Sequence, residues 1–493
     1  MKKINRRNFL KIMGSSAAAA GLAACGSASQ GAASSASGAS SAAAKKETVN
    51  LVMWGIGKTP EDIDEWQKVV NAYTEEKIGV TIDLKISNWG DWEQKMTTIV
   101  NSGEAFDIMF TNDKLYTQQV STGAFADITD LAPSVAADLF SFIPEAVWDG
   151  AKVDGRIYSV PTYKDSSITQ YWMFDDKYVQ KYGIDMTALH TMDDLDEPFR
   201  KMKEGEGDTF YPLQLAQGAP FNGFFYQYYD NLSAGLEPIG VALNDTGRKV
   251  VCTLEQEDIR HNLELLHKWY QDGLINPDAP TLVEQAKGLA FNSAQGFPGA
   301  EVRWQTIQGV EKFDTKQVFG PMYTTASIRG SLNAISANSK YVEEALAYLQ
   351  LLNTDHKLRD MFAYGIEGKH FEYVSENVVH RMTDTFNRPP YSQGTFFTLS
   401  TEDTSPADQW EQVRKLNEQA TNSVCLGYSL DMTNVQMEVA NCKTIWEKYR
   451  YEMMAGASDP AEAVPQCVQE LKSGGMDTII QEAQKQIDAS FAK

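Results

Sequence analysis

Apolar and polar positions along residues 48–110 follow two periods in turn. Three runs are apolar or alternate with period two, at 48–54, 80–87 and 106–110. Two stretches between them carry apolar residues at helical spacing, at 60–73 and 92–102. Period two predicts strands, and a period near 3.6 predicts helices. Strands alternating with helices of this length predict a parallel sheet covered on both faces, in the α/β class.

Side chains suited to a sugar follow the predicted strands. Trp54 ends the first strand, Trp89 follows the second, and Asn112 with Asp113 follows the third. Ligands of such sheets bind beyond the carboxyl ends of the strands. Aromatic rings stack on the apolar faces of sugars, and planar polar groups bind hydroxyls. We therefore expect these four residues in a binding site, although Trp89 and the nearby Trp92 could instead pack on the sheet.

A glycine-lysine-threonine sequence at 57–59 lies between the first strand and the first helix. This order resembles a phosphate-binding loop, which requires G-x-x-x-x-G-K-[ST]. Val52 occupies the position of the first glycine and lies inside the strand. A nucleotide-hydrolysing function is therefore excluded.

Residues 1–24 resemble an export signal. Five basic residues precede or begin a short apolar stretch, namely Lys2, Lys3, Arg6, Arg7 and Lys11. The apolar stretch is too short and too rich in alanine for a membrane span. Leu-Ala-Ala-Cys at 22–25 resembles a bacterial lipobox, which predicts cleavage before Cys25 and a diacylglycerol on its thiol. The adjacent arginines also resemble a twin-arginine signal for folded proteins, but an ordinary basic start explains them equally well.

Composition separates a tether from a globular body. Residues 25–46 are almost wholly Gly, Ser and Ala, so we expect a disordered tether that spans about 25 Å. The chain has a net charge of −22, and removal of the basic residues 1–24 leaves −27. Such a surface excludes nucleic acid and anionic lipid as partners. The body from residue 47 onward is too long for one hydrophobic core, and two lobes are expected.

The remaining cysteines and the histidines predict no metal site. Cys252, Cys425, Cys442 and Cys467 show no C-x-x-C spacing, and we expect free, mostly buried thiols, with a disulfide left open. His261 and His267 are six residues apart on a predicted helix and face different sides. We expect neither a metal nor another cofactor.

Five segments in order carry a family resemblance. They are NSGEAFDIMFTND (101–113), GAFADITDLA (123–132), VDGRIYSVP (153–161), GSLNAISANSKYVEEALAYLQLL (330–352) and YGIEGKHFEY (364–373), followed by a C-terminal GGMDTIIQEAQKQIDA (474–489). They resemble the family 1 extracellular solute-binding lipoproteins of ABC importers, which share the architecture of maltodextrin-binding protein. The later segments resemble a subgroup of larger Gram-positive oligosaccharide-type lipoproteins.

This resemblance implies a periplasmic-binding-protein-like α/β fold, with two lobes joined by two or three crossing segments. Each lobe would contain a mostly parallel sheet flanked by helices. The first lobe would comprise 47–162 plus 332–375, and the second 163–331 plus 376–493. The implied function is a monomeric receptor, held by the lipid on Cys25 at the extracellular face of the cell membrane. It would capture a small-molecule solute, most simply an oligosaccharide, and deliver it to the transmembrane subunits of an ABC permease by hinge closure.

The resemblance also implies further ligand-binding residues, beyond the strand ends. They are Tyr163 and Asp165 after the first crossing, Phe221, Asn222 and Tyr226 in APFNGFFYQYYDN, Arg303 and Trp304 in AFNSAQGFPGAEVRW, Arg329 before the second crossing, and Tyr391 in RPPYSQGTFF. Arg329 could pair with a sugar carboxylate or form an ion pair between the lobes.

Two alternatives stay open from the residues alone. A peptide or another small solute could occupy the cleft of the same fold, because peptide-binding clefts also use aromatic residues. A secreted glycoside hydrolase with two flanking carboxylates is the alternative of another class. The chain contains no G-x-S-x-G and no H-E-x-x-H motif, so we expect no catalysis.

Overall fold

The folded chain begins with β1 (Val49–Ile56), an interior strand of the first sheet. The structure is a computed structural model that describes residues 47–221, 228–383, 385–386 and 388–492. Leu51, Met53 and Ile56 are completely buried, because β1 has neighbouring strands on both sides and helices that cover the sheet.

The strands of the described chain range from two to eleven residues, and the central strands of the first sheet are the most deeply buried. In chain order they are β1 (Val49–Ile56), β2 (Val80–Ser87), β3 (Ile108–Thr111), β4 (Lys152–Val153), β5 (Arg156–Ile157), β6 (Ser159–Pro161), β7 (Ile168–Asp175), β8 (Tyr229–Asp230), β9 (Ile239–Ala242), β10 (Val250–Cys252), β11 (Phe291–Gln295), β12 (Phe313–Tyr323), β13 (Leu332–Ile335), β14 (Phe371–Ser375), β15 (Val378–Arg381), β16 (Thr401–Glu402) and β17 (Thr421–Asn422).

The helices range from one turn to five. They are α1 (Ile63–Ile78), α2 (Trp92–Ser102), α3 (Asp113–Ser121), α4 (Ala132–Val135), α5 (Ala137–Phe142), α6 (Glu145–Ala151), α7 (Asp176–Tyr182), α8 (Asp196–Glu206), α9 (Glu257–Gln271), α10 (Ala300–Gln308), α11 (Thr325–Ile328), α12 (Val342–Thr354), α13 (His356–Tyr364), α14 (Gln409–Glu418), α15 (Gln436–Met454), α16 (Pro460–Ser473) and α17 (Met476–Phe491).

The first sheet has the strand order β2-β1-β3-β13-β6. β1 runs parallel to both β2 and β3, whereas β13 is antiparallel to β3 and β6. The helices α1 and α2 bury one apolar side each, including Trp66 on α1 and Trp92 on α2. The carboxyl ends of β1, β2 and β3 therefore lie at one edge, as the alternating pattern predicts.

The second sheet has the order β11-β7-β12-β17. β7 is antiparallel to both of its neighbours, and only β12 and β17 pair in parallel. The expectation of a mostly parallel sheet in each lobe is therefore wrong for the second lobe, and in the first sheet only two of the four strand pairings are parallel. Strand direction depends on long connections, which the apolar pattern of a single strand does not encode.

Two hydrophobic cores organise the chain. The first core contains buried side chains from Leu51 to Phe386, and the second contains buried side chains from Trp172 to Ile487. We call the elements around them the first lobe and the second lobe. Both cores draw residues from distant parts of the sequence, so the chain passes between the lobes more than once.

The C-terminal boundary of the first lobe differs from the predicted one. Tyr364 on α13 donates a hydrogen bond to the Ser400 carbonyl oxygen (2.6 Å), and Arg359 on the same helix donates to the Thr395 carbonyl oxygen (2.6 Å). Phe386 packs in the first core. The predicted resumption of the second lobe at residue 376 therefore does not fit, because Phe386, Thr395 and Ser400 contact the first lobe.

Residues 388–396, which we call the hinge strap, contact both predicted crossings. The crossings pair with each other through the Thr162 amide, which donates to the Ser331 carbonyl oxygen (3.0 Å). The Ser331 hydroxyl donates to the Ser392 carbonyl oxygen (3.2 Å), and the Phe396 amide donates to the Tyr163 carbonyl oxygen (3.1 Å). The hinge strap is thus hydrogen-bonded to the two segments that join the lobes.

Several sequence predictions are confirmed at the level of elements. β2 and α2 have the predicted bounds, while β1 continues to Ile56 and β3 begins at Ile108. The four cysteines from Cys252 onward are free and buried, as expected. Across the residues that the structure describes, no helix is both long and apolar enough to span a membrane.

Candidate ligand-binding site

An exposed tryptophan stands at the carboxyl edge of the first sheet. Trp89 follows β2 and is 46% exposed, although its ring meets Trp92 and Phe110 edge-on at 5.8 Å between centroids. The Asn88 side chain accepts a hydrogen bond from the Gly90 amide (3.0 Å), which fixes the turn that carries Trp89. Trp92 is a core residue, whereas Trp89 offers ring surface for stacking.

The neighbouring strand end carries Asn112 and Asp113. Asn112 caps α3, because its side-chain oxygen accepts from the Lys114 amide (3.1 Å). The Asp113 amide donates to the Arg329 carbonyl oxygen (2.8 Å), and Asp113 Oδ1 is buried without a hydrogen bond in the described chain. Burial raises the pKa of the Asp113 carboxyl, while Arg329 and the nearby Ser233 hydroxyl act against this shift.

Ser233 of the second lobe faces Asp113. The residue is 5% exposed, and its hydroxyl oxygen makes no hydrogen bond to any described group. The hydroxyl lies near the Asp113 carboxylate, but the two groups do not meet hydrogen-bond geometry. Sequence reasoning missed Ser233. Its only local signal is the Asp-Asn pair at 230–231, a turn-forming sequence directly after β8.

Charged residues line the rim beside Trp89. Lys114 and Glu93 of the first lobe form an exposed salt bridge (2.7 Å). Lys443 on α15 of the second lobe lies against Gly235, where a methyl group would come within 3.0 Å of its Nζ. Burial lowers the pKa of Lys443, and the nearby Glu93 opposes this shift. The two lobes therefore approach each other at this rim.

Arg329 is a structural residue of the interlobe region. It is completely buried, and its Nε donates to the Gly150 carbonyl oxygen (2.9 Å). Its other nitrogens donate to the Thr117 hydroxyl (3.0 Å) and to the Lys152 carbonyl oxygen. The predicted pairing of Arg329 with a sugar carboxylate does not fit, because its three nitrogens already donate to groups of the protein.

Trp54 does not stand at the end of its strand. β1 continues for two residues to Ile56, so Trp54 lies within the sheet and is 6% exposed. The ammonium groups of Lys95 and Lys85 lie over its ring, at 4.7 and 5.6 Å from the centroid. Its burial corrects the expectation that Trp54 offers a free face to a sugar.

The predicted hinge residues differ in exposure. Tyr163 is buried against Phe397 (4.4 Å between ring centroids), and burial raises its pKa. The Asp165 side chain pairs with Lys164 (2.8 Å) and is 15% exposed. Tyr391 is half-buried in the hinge strap. Asp165 and Tyr391 keep accessible surface, whereas the Tyr163 ring is part of the packing.

The predicted residues of the second lobe are dispersed. Phe221 is a core residue that stacks on Phe291 (6.0 Å), which corrects its expected place in the cleft. Arg303 is exposed on α10, and Trp304 on the same helix packs near Tyr171 (6.1 Å). In the described chain, no ring contact or hydrogen bond joins α10 to Trp89 or to the carboxyl edge of the first sheet. Asn222, Tyr226 and Cys25 lie outside the described residues.

Two segments of the chain match protein-family models. Residues 57–356 match the bacterial extracellular solute-binding protein family, and residues 424–492 match a domain of unknown function, DUF3502. The chain belongs to the bacterial extracellular solute-binding proteins. The predicted resemblance is therefore confirmed, and a solute-binding family agrees with the expectation that the chain is not an enzyme.

Known relatives of this solute-binding protein cover most of its length. A carbohydrate ABC transporter substrate-binding protein of Streptococcus pneumoniae serotype 4 is 28% identical over 449 residues, which are 88% of this chain and 90% of the relative. The structure of the N-glycan transport solute-binding protein NgtS from S. pneumoniae matches with a TM-score of 0.82 and 26% identity, over 90% of this chain and 100% of NgtS. NgtS in complex with Man5GlcNAc matches with a TM-score of 0.73 and 26% identity, over 90% and 99% of the two chains. The periplasmic-binding-protein-like fold is confirmed.

The site of this solute-binding protein has no metal-ligand geometry. Within the described ranges, no group of three or more His, Cys, Asp or Glu side chains is arranged to hold a metal ion. The carboxyl edge of the first sheet carries an exposed indole ring at Trp89 and a carboxylate at Asp113, which are groups that suit a polar ligand with apolar faces.

Proposed function

We propose that the protein is the carbohydrate-binding receptor of an ABC importer and that its ligand is an oligosaccharide. The observation that carries this proposal is the exposed Trp89 ring, which stands at the same sheet edge as the unpaired Asp113 carboxylate oxygen. A sugar presents an apolar face to the ring and hydroxyls to the carboxylate. The carbohydrate transporter relative and the glycan complexes of NgtS support the same ligand class.

Calorimetric titration of the full chain in detergent tests this ligand class. Mannose- and N-acetylglucosamine-containing oligosaccharides should bind, whereas peptides of similar mass should not. A ligand that binds only the folded state also raises the melting temperature, which gives an independent readout. Binding of peptides without any binding of oligosaccharides would contradict the proposal.

We further propose that a lipid on Cys25 holds the receptor at the extracellular face of the membrane. The Leu-Ala-Ala-Cys sequence at 22–25 and the Gly/Ser/Ala stretch after it support this anchor. Cys25→Ser should move the protein from the membrane fraction to the medium or wash and leave its oligosaccharide affinity unchanged. Retention of Cys25→Ser in the membrane after a high-salt wash would refute the anchor.

Ligand delivery in this proposal uses hinge closure, and the closed form is the form that the permease recognises. The two crossings and the hinge strap support a hinge between the lobes, and Asp165 and Tyr391 would complete the site there. Small-angle scattering should show a smaller radius of gyration at saturating oligosaccharide. An unchanged radius at saturation would indicate a rigid receptor.

A further inference from the structure

A groove that is open to solvent follows α2 in the first lobe. Its volume is about 480 Å³, which lies within the range of small-molecule sites. The residues that line it include Trp54, Asp91, Gln94, Lys95, Thr98 and Glu104. Positions 91, 94, 95 and 98 have helical spacing, so one side of α2 forms a wall of the groove. The groove therefore accompanies the 11 residues of α2, which span about 16 Å.

The groove begins at the turn that carries the exposed Trp89. Asp91 stands two positions after Trp89, so their Cα atoms are at most about 7 Å apart. The Asp91 carboxylate accepts a hydrogen bond from the Ser87 hydroxyl (3.2 Å), and the Asn88 side chain accepts from the Gly90 amide (3.0 Å). These bonds fix the turn. A chain of sugar residues that stacks on Trp89 can therefore continue into the groove.

Lys95 provides a positioned donor inside the groove. Its ammonium group lies over the Trp54 ring, 4.7 Å from the centroid, and that of Lys85 lies over the same ring at 5.6 Å. Within the described chain, the Lys95 ammonium forms no salt bridge and no hydrogen bond. The cation–π contact holds the side chain in place, so less rotamer entropy remains to be lost when a ligand binds.

The other polar groups of the groove complement this donor. Asp91 and Glu104 contribute carboxylates, and Gln94 contributes both an amide donor and an amide acceptor. A sugar hydroxyl both donates and accepts, and its hydrogen bonds to charged groups are stronger than those to neutral ones. The lysines cover the Trp54 ring, so this ring offers no stacking surface. The groove thus suits sugar residues that are held by their hydroxyls, whereas Trp89 suits a residue that is held by stacking.

We infer that the groove along α2 is a second subsite, which binds the sugar residues of an oligosaccharide beyond the one that stacks on Trp89. This inference rests on the proposed function, because it extends the site of the same ligand. The lining residues named above all belong to the first lobe, so the second subsite does not require hinge closure. The receptor consequently prefers longer oligosaccharides to shorter ones.

A length series of ligands tests the second subsite. The probes are linear mannose-containing oligosaccharides from disaccharide to hexasaccharide, titrated calorimetrically into the full chain in detergent. The affinity of the wild type should rise with length by about tenfold or more. Thr98→Trp fills the groove and should remove most of this gain, while the affinity for the shortest ligand that binds stays within about twofold. Lys95→Met keeps an apolar stem over the Trp54 ring and should weaken only the longer ligands, about three- to tenfold.

Two matched controls separate the groove from general effects. The Thr97 hydroxyl donates to the Glu93 carbonyl oxygen (2.7 Å), just as the Thr98 hydroxyl donates to that of Gln94 (2.8 Å), but Thr97 does not line the groove. Thr97→Trp should therefore keep the length dependence. Lys77→Met is the control for Lys95→Met, because the Lys77 ammonium lies over the ring of Tyr73 at 5.3 Å on α1. Melting temperatures of the ligand-free variants verify that each one folds.

Four outcomes overturn the second subsite. The first is a wild type that binds short and long oligosaccharides equally well. The second is a pair of folded Thr98→Trp and Lys95→Met variants that keep the full length dependence. The third is an equal loss for the shortest and the longest ligands, which would place the effect at Trp89 or in the fold. The proposed function survives these three results. The fourth is a wild type that binds no oligosaccharide, and it overturns the proposed function as well.

Discussion

Replacement of Trp89 by alanine tests whether the exposed ring is the stacking platform of the site. Trp89 is 46% exposed, and its ring packs edge-on against Trp92 and Phe110. The substitution removes the exposed indole surface but leaves the two supporting rings in place. Affinity should therefore fall with little loss of stability.

The expected magnitude follows from the exposed area. A tryptophan side chain presents about 250 Å², so 46% of it amounts to roughly 115 Å². A sugar ring that covers most of this surface removes about 60–100 Å² from water, worth about 1.5–2.5 kcal/mol at roughly 25 cal/mol per Å². Trp89→Ala should thus weaken binding about 10- to 70-fold, since each 1.4 kcal/mol is about a factor of ten.

The assay is calorimetric titration of the wild type and the variant with the same oligosaccharide. Tyr341→Ala is the matched control, because Tyr341 is also a partly exposed aromatic (39%) but precedes α12, away from the carboxyl edge of the first sheet. The control should bind as the wild type does. An unchanged affinity in Trp89→Ala would refute the stacking role, and an equal loss in both variants would show that the effect is not specific to the site.

Three further predictions concern buried groups. Arg329→Met should lower the free energy of unfolding by about 3–5 kcal/mol, because it leaves the buried carbonyl oxygens of Gly150 and Lys152 without a donor and removes the positive charge that opposes the burial of the Asp113 carboxylate; urea denaturation measures this, and a loss below about 1 kcal/mol would contradict the structural role. Burial raises the pKa of the Cys252 thiol to about 12 and that of the Cys442 thiol to about 11. These two thiols and the buried thiols of Cys425 and Cys467 should therefore react with Ellman's reagent only after the protein is unfolded. The raised pKa of Asp113 means that the folded protein keeps a proton that the unfolded chain has lost, so this group contributes stability at low pH that disappears as pH rises from about 4 toward the folded pKa. Asp113→Asn should not lose this stability as the pH rises. If the free energies of unfolding of the wild type and of Asp113→Asn fall in parallel between pH 4 and 7, the prediction is wrong.

The first lobe was largely predictable because its elements are set by local patterns. The alternation at 80–87 and the helical spacing at 92–102 match β2 and α2 residue for residue. The end of β1 was missed by two residues, because Gly55 and Ile56 follow Trp54 and glycine is a weak strand signal. Because of this two-residue difference, Trp54 was predicted at the edge of the sheet, whereas the structure places it within the sheet.

The second lobe and half of the site were less predictable because they depend on long-range packing. The direction of β7 relative to β11 and β12 is set by connections of more than a hundred residues. Ser233 becomes a site residue only through a left-handed backbone and the approach of Asp113 from the other lobe. The pattern of residues around position 233 contains neither piece of information.

The hinge strap has a consequence for the biogenesis of the protein. The first core needs side chains from Leu51 to Phe386, and the strap that ties its crossings ends at residue 396, about four-fifths of the way along the chain. At roughly 5–20 residues per second, a ribosome takes about 20–80 s to reach that point. Until then neither core has all of its side chains, so the nascent chain cannot complete its folding. A polypeptide cut short before the strap should not yield a separately folding first lobe, and chaperone or secretion machinery must shield its apolar strands in the interval.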